Sequence, residues 1–194
     1  MTGVVLCGGS SSRMGSDKVL LKEEETTWAE LASQKLAALH LPFVVSINEL
    51  QYETYSLIFP KEKLITDLKA FNVKGPLLGI SSVHATIPAE DLLVLACDVK
   101  DITTSLLNNL VSLASGDAYD AFVYTTDGKP QPLCAVYTAK GLQQIYCSVQ
   151  QNILSRFSMM SVLESLNTMY VPVAENDLSA FSNYNRPDEL QAPV

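Results

Sequence analysis

A chain of 194 residues that is 47% hydrophobic and 18% charged has ordinary globular composition and a length that one domain, residues 1–194, accommodates, burying about 70% of its unfolded surface. Thirteen Lys and Arg against 21 Asp and Glu give a net charge of −8, which repels polyanions at long range and argues against nucleic acid as a partner. The longest apolar runs, residues 43–47 and 92–97, are far shorter than the roughly 20 residues of a membrane span, and Met1-Thr2-Gly3-Val4 lacks the basic region of a secretory signal, so a cytoplasmic protein is expected.

Residues 2–7 read as a first strand that runs directly into a glycine–serine loop. Trp28, Leu31, Ala32, Leu36 and Leu39 then recur at helical spacing, with Thr27 and Glu30 placed as a capping box. A second strand at 43–47 and a third at 64–66 follow, then a helix over 77–85 opened by Pro76. A buried strand at 92–97 precedes a helix at 104–114. Strands at 121–125 and 133–137 flank Asp127-Gly128, a hairpin signal that makes one strand antiparallel. Helices at 139–151 and 158–166, a strand at 169–173 and a short helix opened by Pro187 complete the pattern. The strand runs are mostly continuous rather than alternating, which is the mark of strands covered on both faces. The predicted fold is therefore α/β and doubly wound: a mostly parallel, twisted sheet with helices on both faces and one antiparallel strand. Cys7, Cys97, Cys134 and Cys147 show no C-x-x-C spacing and read as reduced thiols.

The first strand opens onto Cys7-Gly8-Gly9-Ser10-Ser11-Ser12-Arg13-Met14-Gly15-Ser16-Asp17-Lys18. Neither the phosphate-loop nor the dinucleotide fingerprint aligns on this stretch, yet its chemistry is that of an anion cradle. Adjacent glycines admit a phosphate close to the backbone, serines supply hydroxyl donors, and Arg13 and Lys18 supply positive charge. Open α/β sheets bind ligands at the carboxyl ends of their strands, where this loop falls. Asp98, at the end of the buried strand 92–97, is a candidate hard oxygen ligand for Mg²⁺, which takes few protein carboxylates; on spacing alone, capping of the helix that opens near Thr103 accounts for it equally well. Asp101 is a second candidate ligand.

The loop closely resembles the G-G-x-S-x-R-M-G-x-D-K signature of the nucleotidyltransferases that attach GMP to the molybdenum cofactor, and every fixed position of it is present. The resemblance continues through Gly75-Pro76-Leu77-Leu78-Gly79-Ile80, Cys97-Asp98, Gln131-Pro132-Leu133 and Phe181-Ser182-Asn183-Tyr184-Asn185-Arg186-Pro187. It implies a Rossmann-like nucleotidyltransferase fold and a nucleotide site of Leu6, Cys7, Gly8, Gly9, Lys18, Asn48, Asp67 and Asp98. By the same resemblance Arg13, Lys18 and Asp98 are catalytic, Asp98 holds Mg²⁺, and Asn48 and Asp67 contact the guanine base. Asn183 and Asn185 fall on the pterin side. A carboxylate at Asp67 suits guanine, whose N1 and N2 donors adenine does not present in that arrangement; Asn and Asp at strand ends also serve as ordinary turn residues. Two departures are Cys7, where alanine is usual, and Val99-Lys100, where the family often has proline at the second position. Residues 150–157 carry a single cation, Arg156.

The resemblance implies GTP and molybdopterin as substrates, with transient contact to proteins that deliver or collect the cofactor. Mechanistically, the pterin phosphate attacks the α-phosphorus of GTP and pyrophosphate leaves. Positioning and charge neutralisation carry the catalysis, with Lys18 and Arg13 on phosphate oxygens and the N–H groups of Gly8 and Gly9 around the triphosphate. The alternatives are a cytidylyl or sugar-phosphate nucleotidyltransferase on the same fold, and a nucleotide-binding accessory protein without turnover. His40 and His84 have no partner at motif spacing and receive no catalytic role.

Overall fold

The computed structural model describes residues 1–8, 22–23, 26–116, 118–153 and 157–182. Strand β1 (Thr2–Leu6) is buried along its whole length and pairs in parallel with β4 (Phe43–Ile47) on one side and β6 (Leu92–Ala96) on the other. Beyond β4 lies β5 (Leu64–Thr66), also parallel. On the other flank come β8 (Lys129–Tyr137), β7 (Ala121–Thr126) and β9 (Thr168–Pro172), giving a seven-stranded sheet in the order β5-β4-β1-β6-β8-β7-β9. Only β8 runs against the rest. A two-stranded antiparallel ribbon, β2 (Lys22–Glu23) with β3 (Thr26–Thr27), stands apart.

Each central strand feeds two cores, because successive side chains point to opposite faces. Val5, Val45, Ile47, Leu93 and Leu95 meet α1 (Trp28–Ala38), α2 (Tyr52–Tyr55) and α4 (Thr104–Leu113). Val4, Leu6, Leu92 and Val94 meet α3 (Pro76–Thr86), α5 (Ala139–Gln150) and α6 (Met159–Ser165) on the opposite face. This double coverage explains the continuous apolar runs. Leu36, Leu77 and Leu107 are fully buried, each worth about 1.5–3 kcal/mol relative to exposure.

Local chemistry sets the element ends. The Thr27–Glu30 capping box forms as its spacing predicts: Thr27 Oγ1 accepts from Glu30 N–H at 3.3 Å, and Glu30 Oε2 accepts from Thr27 N–H at 2.9 Å. Helix α3 starts at Pro76 after Gly75, whose φ of 65° places it in the left-handed region. Asp127 and Gly128, with φ of 49° and 73°, form the positive-φ hairpin turn between β7 and β8. Strand β8 begins at Lys129, four residues earlier than the apolar run suggests, because Pro130 and Pro132 disguise its start. Prolines fit there because the register with β6 ends at Cys134, leaving this part of β8 paired with β7 alone. Helix α2 and the 3₁₀ turns at Glu49–Gln51, Lys61–Lys63 and Glu175–Phe181 lack a periodic signal. The helix expected after Pro187 lies outside the described residues.

Among the described residues no helix is long and apolar enough to cross a membrane. Cys7, Cys97 and Cys134 are buried thiols and Cys147 is partly buried, so no disulfide frame exists. Burial raises the Cys134 thiol to about 12, as expected for an inert structural cysteine.

Candidate active site at the carboxyl rim of the sheet

Four parallel strands lie side by side in the order β5-β4-β1-β6. The residues that follow them are therefore brought to one rim: Asp67 after β5, Asn48 after β4, Cys7 and Gly8 after β1, and Asp98 after Cys97 and β6. Far apart in sequence, they line up because parallel strands end at the same edge. The antiparallel strand β8 meets β6 from the other direction, its register with β6 ending at the Leu95–Cys134 pair, while Gln131 and Pro132 lie in the part of β8 before that pair.

Gly8 is the pivot of the row. A Cβ built on it would lie 3.8 Å from Asn48 N, from the Ile47 carbonyl carbon and from Asp67 Oδ2. Its N–H donates to the Ser46 carbonyl at 3.1 Å, and the Cys7 N–H donates to the same oxygen at 2.9 Å. The Gly8 N–H, expected to lie around a triphosphate, here shares the Ser46 carbonyl with Cys7, and the missing side chain of Gly8 leaves room for close approach. Leu6 belongs to β1 and is 5% exposed, its side chain packed in the core with α3. Leu6 immediately precedes Cys7 and Gly8 at the rim.

Asp67 lies between two glycines, Oδ2 toward Gly8 and Oδ1 toward Gly79, with 3.8 Å from each oxygen to the respective built Cβ. Its N–H donates to Ile47 O at 3.0 Å, extending the β4–β5 ladder by one step. Oδ1 is buried without a hydrogen-bond partner. Burial raises the Asp67 pKa from 3.8 to about 6. A desolvated carboxylate with an unsatisfied oxygen costs free energy unless a donor reaches it, which makes Asp67 a candidate ligand contact.

Asn48 uses its side chain as a cap: Oδ1 accepts from Gln51 N–H at 3.1 Å, while Gln51 Oε1 accepts from Asn48 N–H at 2.9 Å. Turn chemistry is thus real here, and it occupies the oxygen of the Asn48 amide. Asn48 nevertheless stays within van der Waals reach of Gly8.

Asp98 is partly buried in the turn that leaves β6. The capping alternative is not realised, since Thr103 Oγ1 caps α4 by accepting from Leu106 N–H at 3.3 Å. Asp101 pairs with Lys100 at 3.1 Å. Among the described residues no three His, Cys, Asp or Glu side chains cluster as a metal cage. One rim carboxylate is nonetheless the donor set that suits Mg²⁺, which is usually bound by one or two carboxylates plus substrate phosphates. Asp98 therefore fits a divalent ion that arrives with a triphosphate.

Gly79 has a role that its motif did not predict. A Cβ on it would stand 2.6 Å from Ser46 Oγ and 3.3 Å from Leu6 Cδ2, so this glycine lets α3 close against β4 and β1. Arg13, Lys18, Gly9, Asn183, Asn185 and Arg156 lie outside the described residues. Of the histidines, His84 is buried beside Gln143 Oε1 at 3.3 Å and stacks edge-on with Tyr146, away from the rim residues.

Residues 3–166 match the MobA-like NTP transferase domain. The chain is 31% identical over 193 residues to a probable molybdenum cofactor guanylyltransferase of Methanothermobacter thermautotrophicus, covering 96% of this chain and 95% of that one. It is 30% identical over 192 residues to a protein of the same description from Bacillus cereus strain G9842, covering 96% and 92%. The molybdopterin-guanine dinucleotide biosynthesis protein A of Archaeoglobus fulgidus superposes with a TM-score of 0.80 at 25% identity, covering 98% of this chain and 95% of that one. A 4-diphosphocytidyl-2C-methyl-D-erythritol synthase shares the fold at a TM-score of 0.67 and 9% identity. With its parallel rim of Gly8, Asn48, Asp67 and Asp98 and a match of this extent, the chain belongs to the MobA-like NTP transferase domain family.

Proposed function

We propose that this chain transfers GMP from GTP to the phosphate of molybdopterin or its metal-loaded form, releasing pyrophosphate. The observation that carries the reading is the Asp67 carboxylate on the rim, whose Oδ2 faces Gly8 and whose buried Oδ1, on the Gly79 side, has no hydrogen-bond partner among the described residues. A buried acceptor on this rim suits the N1 and N2 donors of guanine, and the relatives described above carry the name probable molybdenum cofactor guanylyltransferase.

A terminal phosphate oxygen of the pterin attacks the α-phosphorus of GTP; a new P–O bond forms, the α–β bridging bond breaks, and pyrophosphate takes the bonding electrons. A phosphate nucleophile carries its own lone pair and needs no side-chain base, which accords with a rim devoid of a paired histidine. Positioning and charge neutralisation carry the rate. Asn48 and Asp67 hold the base, Gly8 lets the nucleotide approach the sheet, and Arg13 and Lys18 take phosphate oxygens. Asp98 would hold Mg²⁺, which would supply charge neutralisation of the triphosphate and Lewis acidity. Asn183 and Asn185 are assigned to the pterin side.

The test is pyrophosphate release from GTP, CTP and ATP, with molybdopterin and Mg²⁺ present and each omitted. Release from GTP that depends on both is the expected result. Preference for CTP would place the chain with the cytidylyltransferases, and GTP binding without release would make it an accessory protein.

A further inference from the structure

We infer that Gln51 is a positioning residue that clamps the start of the glycine loop to the base-contacting turn and so sets the geometry of the nucleotide site. The inference rests on the guanylyl reading above. Its basis is one side-chain amide used at both ends: Gln51 Nε2 donates to the Cys7 carbonyl at 3.1 Å, and Gln51 Oε1 accepts from the Asn48 N–H at 2.9 Å. The amide therefore ties the exit of β1 to the exit of β4.

The contact falls on a telling peptide unit. The Cys7 carbonyl and the Gly8 N–H belong to the same planar group. Its carbonyl is held by Gln51, while its N–H is held by Ser46 O at 3.1 Å. With both ends bonded, rotation of this peptide plane about its flanking dihedrals is resisted, and the orientation of Gly8 is fixed. The same side chain fixes the Asn48 backbone, whose nitrogen faces Gly8. Ladder bonds between β1 and β4 alone would leave the carbonyl side of this unit unheld.

A purely structural glutamine would affect stability without changing how nucleotides are discriminated. A clamp between the phosphate side and the base side changes discrimination, because their separation is what a correct nucleotide must span. Gln51→Met keeps size and removes both bonds. Gln51→Glu keeps the acceptor for Asn48 and removes the donor to Cys7, isolating the cross-strand contact.

Each variant and the wild type is measured for GTP, ATP and CTP affinity by calorimetry with Mg²⁺, for melting temperature, and for amide hydrogen exchange at Gly8 without nucleotide. Gln51→Met is expected to raise the GTP dissociation constant on the order of tenfold and to narrow the preference for GTP over ATP. Gln51→Glu should follow it, and Gly8 exchange should quicken in both. Unchanged Gly8 exchange in folded variants overturns the clamp, as does a weakening equal for all three nucleotides that tracks the melting temperature. A wild type that ignores GTP, with Gly8 exchange still sensitive to Gln51, overturns the guanylyl reading and removes the inference with its premise. Should Gln51→Met fail to fold, Gln51→Glu alone carries the test.

Discussion

Ser46 and Gly79 meet so closely that a Cβ on the glycine would stand 2.6 Å from the serine Oγ. That contact lets α3 lie flat on the sheet directly beneath the rim. Gly79→Ala should cost about 1–3 kcal/mol through overpacking. Ser46 Oγ is buried without a hydrogen-bond partner, so Ser46→Ala makes room and should recover part of the loss in the double variant. Chemical denaturation of the two singles and the double measures this coupling; strict additivity would contradict the contact.

Asp67 gives a pH dependence with a definite sign. Its folded pKa, about 6, is above the ordinary 3.8, so the folded chain binds this proton more tightly than the unfolded chain. The contribution to stability is full below about pH 3.8 and is lost as pH rises through 6. Asp67→Asn should therefore stabilise the protein above pH 6, on the order of 1–2 kcal/mol, with the gain vanishing near pH 4.

The same substitution should hurt function. If ionised Asp67 accepts from guanine, wild-type GTP affinity rises with pH through about 6 and then levels. Asp67→Asn should weaken GTP binding by roughly 10- to 100-fold and flatten that rise. Calorimetric titrations between pH 5 and 8 check both effects; an unaltered pH profile would exclude Asp67 as the titrating group.

Asp98→Asn should reduce turnover by roughly 10²- to 10³-fold, the effect of losing several kcal/mol of metal-assisted charge stabilisation. The cap of α4 is untouched by this change, since Thr103 supplies it, so the variant should remain folded and the loss of turnover can be read separately from its melting temperature. Mg²⁺-dependent turnover at the wild-type rate in the folded variant would remove Asp98 from the metal role.

Gly75 precedes Pro76 at φ 65° with open space where a Cβ would be. Gly75→Ala should cost about 1–3 kcal/mol from backbone strain alone, because φ 65° with ψ −148° is a conformation that only glycine adopts readily, without any clash to relieve. Thermal unfolding checks this, and a loss far larger would point to a further role for the turn.

Much of the architecture was legible because both-face burial leaves a continuous apolar run, as in Leu92-Leu93-Val94-Leu95-Ala96, and because Thr27 and Glu30 announce a helix start. The start of β8 was obscured by Pro130 and Pro132, which register only as tolerable once the one-sided pairing is known. Asp67 and Asn48 could be placed at strand ends, yet the depth at which Asp67 is buried depends on α3 and Gly79, which sequence spacing cannot weigh. Gln51 carried a signal that went unread: Asn48 with Gln51 three residues on has capping-box spacing. Its second bond, to Cys7, joins residues that only the β1–β4 pairing brings together.

The central position of β1 has a consequence for how this molecule is made. Val4 pairs with Val44 on one side and Val94 on the other, so β1 has both its edges covered only after β6, about 90 residues further along the chain, has been made. Folding speed falls when such distant segments must meet, and an uncovered apolar strand is open to wrong partners meanwhile. Slow refolding that competes with aggregation is the expected behaviour after dilution from denaturant. Because the nucleotide rim is complete only when β6 docks, GTP added early in refolding should not hasten the first steps; it should trap the last.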